Sequence, residues 1–230
     1  MRGRRILLII GVLVCLAGNV HAQDAPSLRF VSISAGMGIN GHSATSTADY
    51  ISTILQLPEP DRVGEFTSAI EFFATPEFQL SEDWSLAVEY SYLVKSYRLS
   101  STAGPGISEF STSIHMPSAV LHYLIPGEGY WLKVGGGLGY YFGTFSQTLF
   151  GSGQPQSYRA SAPGLKFEIV GNTMFDETFY GYIGLDARWG FDEGFSQSDG
   201  SSPSYQGTSP SLGFFNIGLK LGVTVFLAGS

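Results

Sequence analysis

The residues of this chain best able to do covalent chemistry are three histidines and the serines near them. His42 is followed by Ser43, and His115 is followed three residues later by Ser118; His122 has no serine beside it. A nucleophilic serine needs a histidine within hydrogen-bond reach and an acid to orient that histidine. Neighbouring side chains such as His42-Ser43 rarely form that relay. Gly135, Gly137 and Gly139 invite comparison with a nucleotide loop, but their spacing is wrong and no helix follows. They suit close packing beside Trp131 and Tyr141 better. Cys15 is the single cysteine. No catalytic, cofactor-binding or metal-binding set emerges.

A second group of residues has a clearer pattern. Glu71, Glu77, Glu89, Glu168 and Asp186, with Lys95, Lys133, Lys166, Arg188 and Lys220, each occupy the polar position of an alternating segment. Five acids face five bases. Charges turned inward survive only when paired and hydrogen-bonded, so this balance predicts one inward network. Lys133, Glu168, Asp186 and Lys220 are expected in it together, from four consecutive segments. A selective pore would leave one sign in excess.

The segments that must position these groups alternate with period two. Phe215, Ile217, Leu219, Leu221, Val223, Val225 and Leu227 share one face of the last, against Asn216, Gly218, Lys220, Gly222 and Thr224. Segment 179–191 sets Phe179, Ile183, Leu185, Ala187, Trp189 and Phe191 against Tyr180, Tyr182, Asp186 and Arg188. Segments 130–144, 84–97 and 66–80 repeat the pattern. Segment 28–40 puts Val31 with Ile33, Ala35, Met37 and Ile39. Segment 158–170 alternates over Leu165, Phe167 and Ile169, with Pro163 expected at a bulge or edge irregularity. Segment 110–125 loses its phase after Pro117. Connections 81–83, 126–129 and 172–177 are short; 41–65, 99–109, 145–157 and 192–210 are long. In 41–65 a short helix is expected from Thr47, with Ile51, Ile54 and Leu55 resting on a barrel rim and Pro58 ending it. Aromatics gather at segment ends: Trp84, Tyr130 and Phe179 at one, Phe66, Phe142, Trp189 and Phe191 at the other.

Charged residues make up 13 % of the 230 and aromatics 14 %, where about 25 % charged is usual for soluble domains. The chain opens Met1-Arg2-Gly3-Arg4-Arg5, runs apolar from Ile6 to Gly18, and reaches Val20-His21-Ala22. That describes a secretory signal, residues 1–22, ahead of a domain over 23–230. Its removal would take Cys15 and three of the 12 Lys and Arg, leaving nine against 19 Asp and Glu, a formal charge of −10. Such a balance argues against nucleic acid as partner. Past residue 22 no stretch offers ~20 consecutive apolar residues. A closed barrel is the remaining way to cross a bilayer with every backbone group satisfied. The expected fold is an all-β, eight-stranded antiparallel up-and-down transmembrane β-barrel with short periplasmic turns and longer external loops.

Over residues 28–227 the chain resembles the small outer-membrane β-barrel proteins of the OmpA/OmpX-like group. The most specific local match is Lys220-x-Gly222-x-x-Val225-x-Leu227, similar to the C-terminal signal read by barrel assembly machinery. Ala228-Gly229-Ser230 follow, where relatives often end on an aromatic. A weaker match runs from His115-Met116-Pro117 to His122-Tyr123-Leu124. The resemblance implies residence in the bacterial outer membrane, with its lipids and lipopolysaccharide as partners, and no cofactor. It leaves the role open, since fold does not settle function. The leading expectation is a structural or surface-interaction protein acting through its external loops. One alternative is a lipid-A-modifying enzyme, for which His115 with Ser118 is a poor match to the His-x-Ser pattern. Another is a soluble lipocalin-like carrier, which needs an apolar lumen and a polar exterior.

Overall fold

A computed structural model describes residues 29–64, 66–100 and 106–227. The expected signal segment with Cys15, and Ala228-Gly229-Ser230, lie outside the described residues, as does the side chain of Phe66. The strands are β1 (Arg29–Ser43), β2 (Phe66–Gln79), β3 (Trp84–Ser100), β4 (Ile107–Gly127), β5 (Tyr130–Thr148), β6 (Gln156–Met174), β7 (Phe179–Gly190) and β8 (Phe214–Phe226). Each pairs with its sequence neighbour, and β8 returns to β1 to close the barrel. All eight pairings are antiparallel.

Alternation explains the two surfaces. On β7 and β8 the pairs Ile183↔Leu221, Leu185↔Leu219 and Ala187↔Ile217 lie outside, where apolar cross-strand neighbours support each other. Leu185, Leu219, Leu221 and Val223 are 51–55 % exposed, while Lys220 is 0 % and Asp186 3 % exposed. A water-soluble carrier would have the opposite arrangement. Trp84, Tyr130 and Phe179 are exposed beside the short turns, and Phe142, Trp189 and Phe191 are exposed toward the long connections, as two interfacial belts require.

Several sequence expectations are corrected. Val31 does not share the outward face of Ile33. A register shift between Phe30 and Ser32 leaves both Val31 and Ser32 buried, as an inserted residue does at a bulge. Pro163 marks no bulge: β6 pairs with β5 without interruption through Tyr140↔Pro163. The proline sits just past the last β6–β7 pair, Gly164↔Gly190, and its carbonyl accepts from the Phe191 amide at 3.1 Å. β4 keeps one phase throughout. Its pattern is obscured because Ile114, Met116, Val120 and Leu124 point inward while Leu121, Tyr123 and Ile125 point outward. Strands β3 to β6 are 17 to 21 residues long, well beyond the ~9–11 that cross a bilayer. Their excess continues past the apolar belt on the long-connection side.

Helix α1 (Thr45–Ile54) begins within two residues of β1. It does not rest on the rim; it fills the mouth. Tyr50, Ile51 and Leu55 are 0–2 % exposed and pack with Leu93, Phe110, Phe145 and Phe195. The Tyr50 hydroxyl donates to Gln147 Oε1 at 2.8 Å, while burial pushes that phenol up from its ordinary pKa. The helix stops at Gln56, whose φ of 53° is left-handed, two residues before Pro58.

Gly36 and Gly222 face each other across the β1–β8 seam. A Cβ on Gly36 would lie 2.1 Å from the Leu221 carbonyl oxygen, so Gly36→Val will abolish the compact, heat-modifiable form on gels. Gly194→Ala, where a Cβ meets nothing within 4 Å, will leave it intact. In the β6–β7 turn, Asp176 Oδ1 accepts from the Phe179 and Thr178 amides, each at 2.7 Å. These backbone bonds, Phe179's foremost, hold its carboxyl below the usual range. Its support is therefore present above the ordinary carboxylate pKa and lost as pH falls through the depressed one. Amide exchange at Thr178 and Phe179, corrected for intrinsic rate, will quicken in acid, and Asp176→Ala will remove that pH dependence.

Candidate functional site: a charge network in the lumen

Inward-pointing side chains from seven strands meet in one ionic cluster. Its centre is Glu89 of β3. One Glu89 carboxylate oxygen lies 2.6 Å from Lys166 Nζ. The other lies 2.7 Å from Arg188 Nη2 and 3.0 Å from Lys220 Nζ. Arg188 also reaches Glu71 at 2.7 Å and, through Nε, Asp186 at 2.8 Å. Lys220 reaches Glu71 at 3.1 Å and Asp186 at 3.5 Å. Neutral donors satisfy more lone pairs: Asn40 donates to Glu71 at 2.8 Å and Ser91 to Glu89 at 2.7 Å.

Lys166 extends the cluster to Glu168 at 2.7 Å. From there His122 is the link. Its Nε2 lies 2.9 Å from Glu168 and its Nδ1 3.5 Å from Glu77. Glu77 pairs with Lys133 and accepts from Ser85 at 2.6 Å and Ser32 at 3.1 Å. Lys133, Glu168, Asp186 and Lys220 thus belong to one connected set. His122 was not foreseen as a member, because in the sequence it sits among apolar residues of β4. Gly135 makes room for it: a Cβ there would meet the imidazole at 2.2 Å.

Lys95 was expected in the network and stands outside it. It lies six residues beyond Glu89 along β3, next to the apolar tier, and its Nζ is 5.0 Å from the Tyr97 ring. The cluster therefore holds five acids and four fixed cations, with the His122 imidazole between two carboxylates. Arg188 also marks the border between tiers, donating to Met116 Sδ at 3.4 Å. Beyond that border the lumen is mainly apolar, with Lys95 and the His42–Asn216 pair among its polar members. Tyr141, Phe145, Phe110, Ile114 and Phe214 pack there with α1 and with two residues of the β7–β8 connection, Phe195 and Leu212. Sequence reading missed both plug residues. The signal was present: each is a large apolar side chain in or beside a polar connection.

Neither histidine–serine pair forms a relay. His42 is buried and bonded through Nδ1 to Asn216 Oδ1 at 2.5 Å, and it lies at the end of β1 rather than in a loop. Successive strand residues face opposite ways, so Ser43 points away from it. His115 faces outward beside Tyr90, whose hydroxyl is 2.5 Å from its Nδ1, whereas Ser118 is buried on the opposite face. Of the C-terminal signal residues, Lys220 lies in the cluster, Gly222 at the seam, Val225 on the half-buried outward face, and Leu227 at the described end.

Comparison with known proteins supports the fold. No family model matches the chain, and no curated protein does. Among solved structures, Neisserial surface protein A is 12 % identical, covering 86 % of this chain and 97 % of its own, with a TM-score of 0.52. Two others score lower: the attachment invasion locus protein of Yersinia pestis and a major outer membrane protein of Thermus thermophilus. Each is 12 % identical and covers 86 % of this chain and 99 % of its own, with a TM-score of 0.48. The chain has the fold of small outer-membrane barrels, and its exterior is that of a lipid-embedded one.

Removing one partner of a buried ion pair costs about 3–5 kcal/mol, and charge reversal costs more. Lys220→Glu, set against Glu71, Glu89 and Asp186, will lower the urea midpoint by more than Glu89→Gln does. Arg98→Ala, which breaks the exposed 2.6 Å pair with Glu109, will cost less than ~1 kcal/mol.

Proposed function

We propose that this chain is an integral protein of the bacterial outer membrane, a plugged and non-catalytic barrel that acts as a structural or surface-interaction element. The carrying observation is a closed cylinder with an apolar exterior, a charge-neutralised lumen and a mouth filled by α1, Phe195 and Leu212. A lumen packed in this way offers no continuous path for ions from one end of the barrel to the other. The basic, then apolar, N-terminal segment supports export.

Two kinds of partner fit the exterior. Acyl chains suit the apolar belt. Beyond it, the outward residues of β3 to β6 change to hydroxyls and charges: Ser96, Ser111, Ser146 and Ser157, with Arg98 and Glu109. Cross-strand pairing lines these up as Ser96↔Ser111↔Ser146↔Ser157. A polar wall continuous with a lipid-facing one suits lipopolysaccharide sugars above their own acyl chains. The unpaired His–Ser sets support the non-catalytic reading.

Fractionation and function tests separate the parts of this proposal. The protein will be recovered from outer membranes and will shift in apparent mass on heating. Planar bilayers containing it will show no steady conductance, and lipid A from cells with and without it will have the same mass spectrum. Recovery in the aqueous periplasm would refute the membrane reading. A changed acyl count would replace the structural role with an enzymatic one.

A further inference from the structure

Lys95 poses a problem that the lumen network does not solve. It projects inward from β3 and is 6 % exposed. Its Nζ has no hydrogen-bond partner among the described residues. An ammonium withdrawn from water without a counter-charge is strongly unfavourable, and a ring face 5.0 Å away compensates only in part. Lys95 borders a small cavity of about 20 Å³, whose lining contains no aspartate or glutamate. Ser211 borders the same cavity, and its buried hydroxyl also lacks a partner. Thr112, the cross-strand neighbour of Lys95, adds a third donor to the lining.

We infer that this cavity is a binding site for a single halide ion, with Lys95 as counter-charge and Ser211 as hydroxyl donor. Size sets the class of ligand. The volume suits one particle of about water size, a better fit for chloride or bromide than for phosphate, sulfate or carboxylates. A water molecule would satisfy the hydroxyl but leave the ammonium charge uncompensated. Position suggests the consequence. Ser211 belongs to the β7–β8 connection, and its carbonyl accepts from Thr47 Oγ1 of α1 at 3.2 Å. An ion between Lys95 and Ser211 therefore ties both plug elements to the barrel wall.

The test uses the full barrel purified in detergent, in sodium chloride or bromide against sodium gluconate at equal ionic strength. Proteolytic cleavage within 192–213 is expected to be severalfold slower in either halide. Crystals grown in bromide are expected to show an anomalous peak within ~3.5 Å of Lys95 Nζ. Lys95→Met is expected to keep heat-modifiable migration but lose the halide effect. Equal cleavage of the parent protein in all three salts, or no bromide peak, would overturn the site. Should Lys95→Met fail to fold, the bromide peak in the parent decides alone.

Discussion

The rest of this structure depends on neutralising charge inside a cylinder whose outside is oil. A chain that turns its apolar residues to lipid must send its polar ones inward, and an eight-stranded barrel is only just wide enough to be filled by them. There is little water to screen them. Glu89 answers this constraint by meeting Lys166, Arg188 and Lys220 together, and Arg188 answers it by meeting Glu71, Glu89 and Asp186. All of these contacts except Arg188–Asp186, which lies within β7, join strands distant in sequence. The cluster therefore enforces closure as well as balance: β2 and β3 are tied across the lumen to β6, β7 and β8. Buried ion pairs are weak evidence for stability in general. Here their value lies in specificity, because a strand slipped by one residue would carry a charged side chain to the lipid face.

The lumen has two chemistries stacked along its axis. The ionic tier occupies the middle and the short-turn half. The apolar tier occupies the long-connection half, where β2 to β6, β8, the helix and the β7–β8 connection contribute to a core like that of a soluble domain. Met116 and Tyr141 lie at the junction. This division lets one barrel use hydrophobic burial at its mouth, where water is near enough to drive it, and ion pairing deeper in, where only internal partners are available.

What the sequence made legible follows from this division. β7 and β8 read cleanly because their inward residues belong to the ionic tier, so apolar and polar strictly alternate. β4 reads poorly past Pro117 because apolar residues occupy both faces there: Val120 and Leu124 point inward even in the short-turn half, beside outward Leu121, Tyr123 and Ile125. Eight strands, their antiparallel order and the inward acids and bases were all visible as period-two patterns. Lys95 shares that pattern with the network, and only distance along β3 separates it; alternation gives the face of a residue and not its depth. His122 is the complementary case, since its role depends on Glu77 and Glu168 of other strands and on the space left by Gly135. The bulge at Val31 lies below the resolution of a pattern argument, because one inserted residue reverses the phase without changing composition.

The unequal strand lengths have a consequence of their own. β3 to β6 rise past the apolar belt, while β7 and β8, of 12 and 13 residues, stop near its edge. The molecule is thus taller on one flank than the other, like a collar turned up on one side. Within the plane of a crowded bilayer it has a front and a back. Neighbours approaching the low flank meet lipid and the folded connection, and those approaching the high flank meet a rigid, hydroxyl-studded wall.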